Sequence, residues 1–235
     1  MLVWGKNVFN EIDIKKIRKV YLDKSNSKDL IPYLQNNKIR YDLVDKRVLD
    51  DMAAKNHQGI VVDIYDYEYK ELDECFNDNF VIMLDHLEDP HNFGAIIRTC
   101  ECAGIKHIII PKDRSVRVNE TVIKVSSGAI SHVDVIMVSN LSNAIDKLKN
   151  NGFFVYGADM DGTKYTDVDY ADKKVLIIGN EGKGISPIVS QNCDEIISIP
   201  MYGEINSLNA SVSAGILIYG INGEKWLVNI QMNNW

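Results

Sequence analysis

Three short runs in this 235-residue chain gather the polar side chains that could do chemistry. The first holds Asn92, Gly94 and Arg98 in the spacing N-x-G-x-x-x-R. The second is G-N-E-G-K-G at residues 179–184, whose polar side chains are Asn180 and Glu181. The third, from Ile199 to Ala210, reads I-P-M-Y-G-E-I-N-S-L-N-A and offers Ser207 and Asn209 beside Leu208 and Met201. Each follows a short apolar run. Glycines and small residues leave backbone donors and acceptors uncovered, so the chemistry these runs support is the binding of something small and polar.

The glycine order narrows that reading. G-x-x-G-x-G at 179–184 is the reverse of the dinucleotide fingerprint, and no glycine stands five residues before Gly182 to make a phosphate loop. A ligand loop and an ordinary glycine-rich turn both remain open at this point. In the first run, Asn92 is a helix N-cap by type, and Ile96, Cys100 and Ala103 fall on one helical face. Arg98 then lies about 200° round from Ile96, pointing away from that face, where Glu101 could pair with it on the surface. Gly94 in the first turn costs helix stability and points to close backbone approach. In the third run Ser207 is expected to cap the following helix. There Ala210, Ala214 and Leu217 share one face, and Leu208, Val212 and Gly215 another, predicting packing on more than one side.

These runs need a scaffold. From Phe80 onward, apolar β-branched strands (FVIMLD, HIIIP, VDVIMV, FFVYGA, VLIIG, IISIP) alternate with helical stretches at 92–103, 119–127 and 141–150. Strands buried on both faces and joined through helices predict a mostly parallel α/β sheet, with ligand loops at the strands' carboxyl ends. Residues 1–64 form a smaller α/β module of their own, built from IRKVYL, SKDLIPYLQNN, IRYDLV, KRVLDDMAAK and GIVVDI. The acidic, aromatic stretch 65–79 lacks core periodicity and is expected to be the linker, leaving 80–235 as the main domain.

Composition sets further bounds. The net charge is −7, yet residues 1–70 carry 13 Lys and Arg against 11 Asp and Glu, leaving +2. Non-specific grip on a polyanion is therefore weak. Lys112, Arg114, Arg117 and Lys124 cluster along the chain and read either as a solvated helix face or as a local basic patch. Cys75, Cys100, Cys102 and Cys193 show no disulfide framework or paired ligand spacing, so no metal is expected, and Cys100 and Cys102 read as small buried residues. No apolar run approaches the ~20 residues needed to cross a bilayer, and no signal-peptide pattern opens the chain, so a cytoplasmic location without a membrane partner is expected.

Taken together, N-x-G-x-x-x-R, G-x-E-G-x-G and I-P-M…S-L-N-x-S-V-S resemble the SpoU (TrmH-like) family of RNA ribose 2′-O-methyltransferases, over almost all of residues 80–220. The module at 1–64, with H-Q-G-I-V at 57–61, looks like the family's small substrate-binding domain, similar to ribosomal protein L30e. That pairing resembles most the 23S rRNA guanosine-2′-O-methyltransferase branch. The resemblance implies a SPOUT-type sheet with a C-terminal trefoil knot, S-adenosylmethionine as cofactor, an RNA substrate and a homodimer.

By position, the resemblance places Gly179, Ile199 and Leu208 at the cofactor, with Gly182 and Met201 in the same loops. It places Arg98 as the catalytic arginine, with Asn92, Glu181, Ser207 and Asn209 around the reaction centre, and it gives Arg114, Arg117 and Lys124 to RNA. An arginine stays protonated, which suits it to clamp the target phosphate and steady a developing alkoxide, while a phosphate oxygen or Glu181 takes the proton. Two alternatives stay open: a tRNA substrate, or a non-catalytic RNA-binding protein on the same scaffold.

Overall fold

A computed structural model describes residues 1–25, 28–53, 56–180, 182–205 and 207–232, with side-chain surroundings as far as Asn222. In chain order the first elements are β1 (Leu2–Trp4), α1 (Lys6–Glu11), β2 (Ile17–Asp23), α2 (Ile31–Asn36), β3 (Tyr41–Val44), α3 (Lys46–Met52) and β4 (Ile60–Ile64). Then come β5 (Phe80–Leu84), α4 (Pro90–Cys102), β6 (His107–Pro111), α5 (Glu120–Val125), β7 (Asp134–Val138) and α6 (Leu141–Asn150). The last are β8 (Phe154–Lys164), β9 (Lys174–Ile178), α7 (Pro187–Gln191), β10 (Glu195–Ser198) and α8 (Ala210–Met232). The chain divides into two compact units, Met1–Glu68 with Val118–His132, and Tyr69–Arg117 with Val133–Trp235.

The first unit is a four-stranded sheet in the order β1-β4-β2-β3. Strand β4 pairs antiparallel with both β1 and β2, while β2 and β3 run parallel. Val20, Leu22, Leu34, Leu49 and Ile60 to Val62 are almost fully buried and form its centre. Helix α5 belongs here although it lies far along the chain. Its Lys124 ammonium sits 5.7 Å from the centre of the Trp4 ring on β1. Just beyond it, Gly128 has φ +91° and packs so close to Glu11 that a Cβ would come within 2.5 Å of the Glu11 Cβ.

The second unit carries a six-stranded, fully parallel sheet in the order β10-β8-β9-β5-β6-β7. Every residue of β5, β6 and β9 is buried, as expected of strands covered on both faces. The chain steps outward from β5 through β6 to β7, then crosses over to β8. The order reverses beside β5, so the crevice where ligands bind in such sheets falls at the carboxyl ends of β5 and β9.

Several expectations need correction. The expected linker 65–79 splits between the units, and its second part is structured. Lys70 bridges to Ile136, and a short 3-10 helix over Leu72–Cys75 buries Cys75 in the core of the sheet. The segment 118–132, expected within the main domain, is part of the first unit. Cys100 is buried but Cys102 is exposed. Helix α8 has one buried face, Ala210, Ala214 and Leu217, whereas Val212 on the other is 48% exposed. Among the described residues, no helix is long and apolar enough to cross a membrane.

Candidate functional site

The site is built at the carboxyl end of β9. There Gly179 lies so close to the backbone of Gly184 that a Cβ would stand 2.0 Å from its carbonyl carbon. The backbones of Asn180 and Gly184 exchange two hydrogen bonds, of 3.0 and 2.9 Å, and Gly184 turns with φ +66°. Glycine is required at 179 by contact and favoured at 184 by conformation, which accounts for two of the three glycines in the run. The Asn180 side chain holds the turn from within: Oδ1 accepts from the Gly182 N–H at 2.9 Å, and Nδ2 donates to the His86 carbonyl at 2.9 Å. Glu181 lies outside the described residues.

A second support comes from the end of β5. The Asp85 carboxylate is 1% exposed. Its Oδ2 accepts from the Ser186 N–H at 2.6 Å and its Oδ1 lies 2.5 Å from His86 Nδ1. A buried carboxylate is retained only where such charge-assisted bonds replace water. Asp85 thereby fixes the chain leaving the 179–184 turn. Sequence reading missed both Asp85 and His86. The one available signal was an acidic residue directly after an apolar strand at the expected switch point.

The third run leads into α8. Asn209, not Ser207, caps this helix: its Oδ1 accepts from the N–H of Ser211 at 2.9 Å and of Val212 at 3.4 Å, and from the Ser211 hydroxyl at 2.6 Å. Its Nδ2 donates to Asn92 Oδ1 at 2.9 Å. Asn92 is itself inside helix α4. The cap there is Asp89, which accepts from the His91 N–H, with Pro90 in the first helical position. Asn92 is 7% exposed and Asn209 is exposed, so the pair joins the first and third runs at the edge of the buried interior.

These loops enclose a cavity of about 340 Å³. Gly179, Gly182, Ile199, Met201 and Leu208 all line it, and so does Ser207. Ala158 to Met160 at β8, Ile178 and Ile197 in the sheet, and Ala210 and Leu217 on α8 complete the walls. The lining is mainly aliphatic side chain and glycine backbone, suited to a flat apolar group with polar edges met by main-chain donors and acceptors. Lys183, Asn180 and Gly184 also face a second opening of about 850 Å³, lined by His86, Glu88, Arg114 and Asn140. The 180–184 turn is the wall between the two.

Not every candidate converges. Arg98 is exposed on α4, outside the cavity lining, and has no hydrogen-bond or ion-pair partner among the described residues; no pair with Glu101 forms. Arg114 is exposed with φ +51°, and Arg117 is exposed with one long contact, 3.5 Å, to the Lys112 carbonyl. Lys124 belongs to the other unit. Among the described residues there is no cluster of three or more His, Cys, Asp or Glu side chains that could hold a metal ion.

Comparison with known proteins adds to this geometry. Residues 79–219 match the SpoU rRNA Methylase family, and residues 2–70 match the family described as RNA 2′-O ribose methyltransferase substrate binding. The chain is 42% identical over 208 residues to a Staphylococcus epidermidis protein named for the TrmH family of tRNA/rRNA methyltransferases, covering 85% of this chain and 84% of that protein. A Staphylococcus haemolyticus protein of the same name is 40% identical over 235 residues, covering 94% of each. The fold is similar to that of the SpoU methyltransferase AviRb from Streptomyces viridochromogenes, crystallised with AdoMet. The TM-score is 0.84 at 22% identity, over 96% of this chain and 90% of that one.

Proposed function

The chain belongs to the SpoU rRNA Methylase family, and from that premise we propose that it methylates a ribose 2′-hydroxyl in RNA with S-adenosylmethionine as methyl donor. One observation carries the reading: five residues from two loops, Gly179, Gly182, Ile199, Met201 and Leu208, line a single cavity at the carboxyl end of a parallel sheet. The cavity's character fits the cofactor. Ile199, Met201 and Leu208, with the backbone at Gly179 and Gly182, would hold it. Bound there, S-adenosylmethionine supplies a methyl group that its sulfonium makes electrophilic.

The rest falls to the protein. Asn209 and Asn92 hold the start of α8 against α4, which keeps Leu208 and Ser207 at the cavity. Arg98 clamps a phosphate of the target strand with its paired N–H groups and steadies the oxygen as it loses its proton. Glu181 or a phosphate oxygen receives that proton. Arg98 is outside the cavity of its own chain, which supports a homodimer in which a second copy completes the site. Arg114, Arg117 and Lys124 are assigned to RNA contact. The trefoil knot implied by the resemblance and a cytoplasmic location belong to the same proposal.

The preferred substrate is a guanosine of 23S rRNA, because the first unit is matched as a substrate-binding domain. A tRNA target is the second reading, since the relatives are named for both RNAs. Calorimetry with S-adenosylmethionine tests the cofactor. Methyl mapping of rRNA and tRNA from cells lacking the protein tests the substrate. A missing methyl on a large-subunit rRNA guanosine is expected, and a loss confined to tRNA selects the second reading.

A further inference from the structure

The first unit has a cavity of its own, about 870 Å³, lined by residues of that unit. Its walls come from five places in the sequence: Trp4 on β1, Asp23 ending β2, Lys46 opening α3, the turn His57–Gln58–Gly59, and Lys124 on α5. The turn is a fixed feature. Gln58 and Gly59 have φ of +54° and +81°, the Gly59 N–H donates to His57 Nδ1 at 3.0 Å, and His57 Nε2 lies 3.1 Å from Asp50 Oδ1. Gln58 Oε1 accepts from the Lys6 N–H at 2.9 Å. Its Nε2 is thereby oriented, and it makes no hydrogen bond among the described residues.

The polar groups at these walls are unevenly used. Lys46 and Lys124 are exposed and form no close ion pair among the described residues, although the hydrogen bonds from Ser25, helped by the charge of Lys46, hold the Asp23 carboxyl below its usual range. Asp23 is 9% exposed; its Oδ1 accepts from the Ser25 N–H and hydroxyl, while its Oδ2 makes no hydrogen bond among the described residues. Trp4 Nε1 is buried without a hydrogen-bond partner among the described residues. Two ammonium groups against one carboxylate favour an anion. An oriented amide donor and a carboxylate oxygen at the walls of one cavity can read the edge of a base.

We propose that this cavity binds one unstacked nucleotide of single-stranded RNA, its phosphate between Lys46 and Lys124 and its base edge on Gln58 and Asp23. The proposal rests on the RNA reading above and makes it specific, because unstacked loop nucleotides are what proteins read in RNA, whereas duplex base edges are hidden. A space of this size holds a nucleotide, and the indole wall gives its base a flat surface.

The test uses the full chain and a labelled single-stranded RNA of about ten nucleotides, long enough to fill one such site. Anisotropy gives the RNA affinity, with the same RNA annealed as a duplex for comparison, and calorimetry gives the S-adenosylmethionine affinity. Lys46→Ala combined with Lys124→Ala, and separately Gln58→Ala, are each expected to weaken single-strand binding by about tenfold, the loss of one good contact, with cofactor affinity unchanged. All three side chains are exposed; because Gln58 accepts from the Lys6 N–H and Lys124 lies over Trp4, an unchanged melting temperature is required of each variant before its affinity is compared.

RNA affinity at the wild-type level in both variants, in a chain that still methylates RNA, overturns the cavity and leaves the methyltransferase reading standing. A chain that fails to bind S-adenosylmethionine but loses RNA affinity in the variants does the reverse. Equal losses for duplex and single strand overturn the unstacked-nucleotide proposal, and absence of RNA binding overturns both readings.

Discussion

Asn209 donates to Asn92 across 2.9 Å while its own carbonyl oxygen caps helix α8. One side chain thus ends a loop, starts a helix and ties that helix to a neighbour 117 residues away in sequence. Removing the side chain removes all three functions. Asn209→Ala is expected to cost about 1–3 kcal/mol, the sum of a lost cap and a lost hydrogen bond. Urea denaturation checks the stability. S-adenosylmethionine affinity falling in step would show that the loop, not the helix alone, depends on the pair.

Gly179 and Gly182 separate contact from freedom. A methyl at 179 meets backbone at 2.0 Å, whereas one at 182 has its nearest neighbour, Asn180 Oδ1, at 3.6 Å. Gly179→Ala must shift the turn and is expected to abolish measurable cofactor binding and lower the melting temperature. Gly182→Ala should keep folding stability within about 0.5 kcal/mol of wild type, as for surface changes without contacts. Similar unfolding curves for the two variants would contradict the geometry.

Arg98 is exposed and has no partner among the described residues, so its removal should not touch the fold. Arg98→Ala is expected to leave melting temperature and S-adenosylmethionine affinity unchanged while lowering methyl transfer at saturating RNA by about 10²–10³-fold, the effect of losing one donor aimed at a developing oxyanion. Arg98→Lys tests the paired geometry. Near-normal turnover in that variant would remove the bidentate clamp.

The cysteines differ in acidity because they differ in burial. Burial opposes the charged thiolate, pushing Cys75 up to about 12 and Cys193 up to about 11, and raising Cys100 beyond both. At pH 8 these three stay protonated and unreactive. Cys102 is exposed. Iodoacetamide at pH 8 should therefore add one group per folded chain, at Cys102 by peptide mass spectrometry, and four groups after denaturation.

The sequence reveals this fold where apolar runs are unbroken, and hides it where a structural role depends on distant partners. Phe80–Leu84, His107–Pro111 and Lys174–Ile178 stand out as buried parallel strands because nothing polar interrupts them until each run ends. The first strand and helix, Leu2–Trp4 and Lys6–Glu11, are too short to show a period, and α7 follows a proline in a polar stretch. Residue type alone makes Asn92 a suitable cap, whereas in the fold Asp89 takes that place with Pro90 in the first helical position. Asp85 gives no hint in sequence that its partner is the backbone of Ser186. Five cavity residues were legible from motif position, but the placing of residues 118–132 with the first unit was not, since only tertiary contact decides it.

The turn from Asn180 to Gly184 separates two openings, and Lys183 faces both. A thin partition of this kind makes occupancy on its two sides interdependent. Any ligand that fixes Lys183 from one side changes the free energy of filling the other, and the factor is the same whichever arrives first. If the larger opening receives part of the RNA, cofactor and substrate change each other's affinity by one shared factor through this stretch of chain.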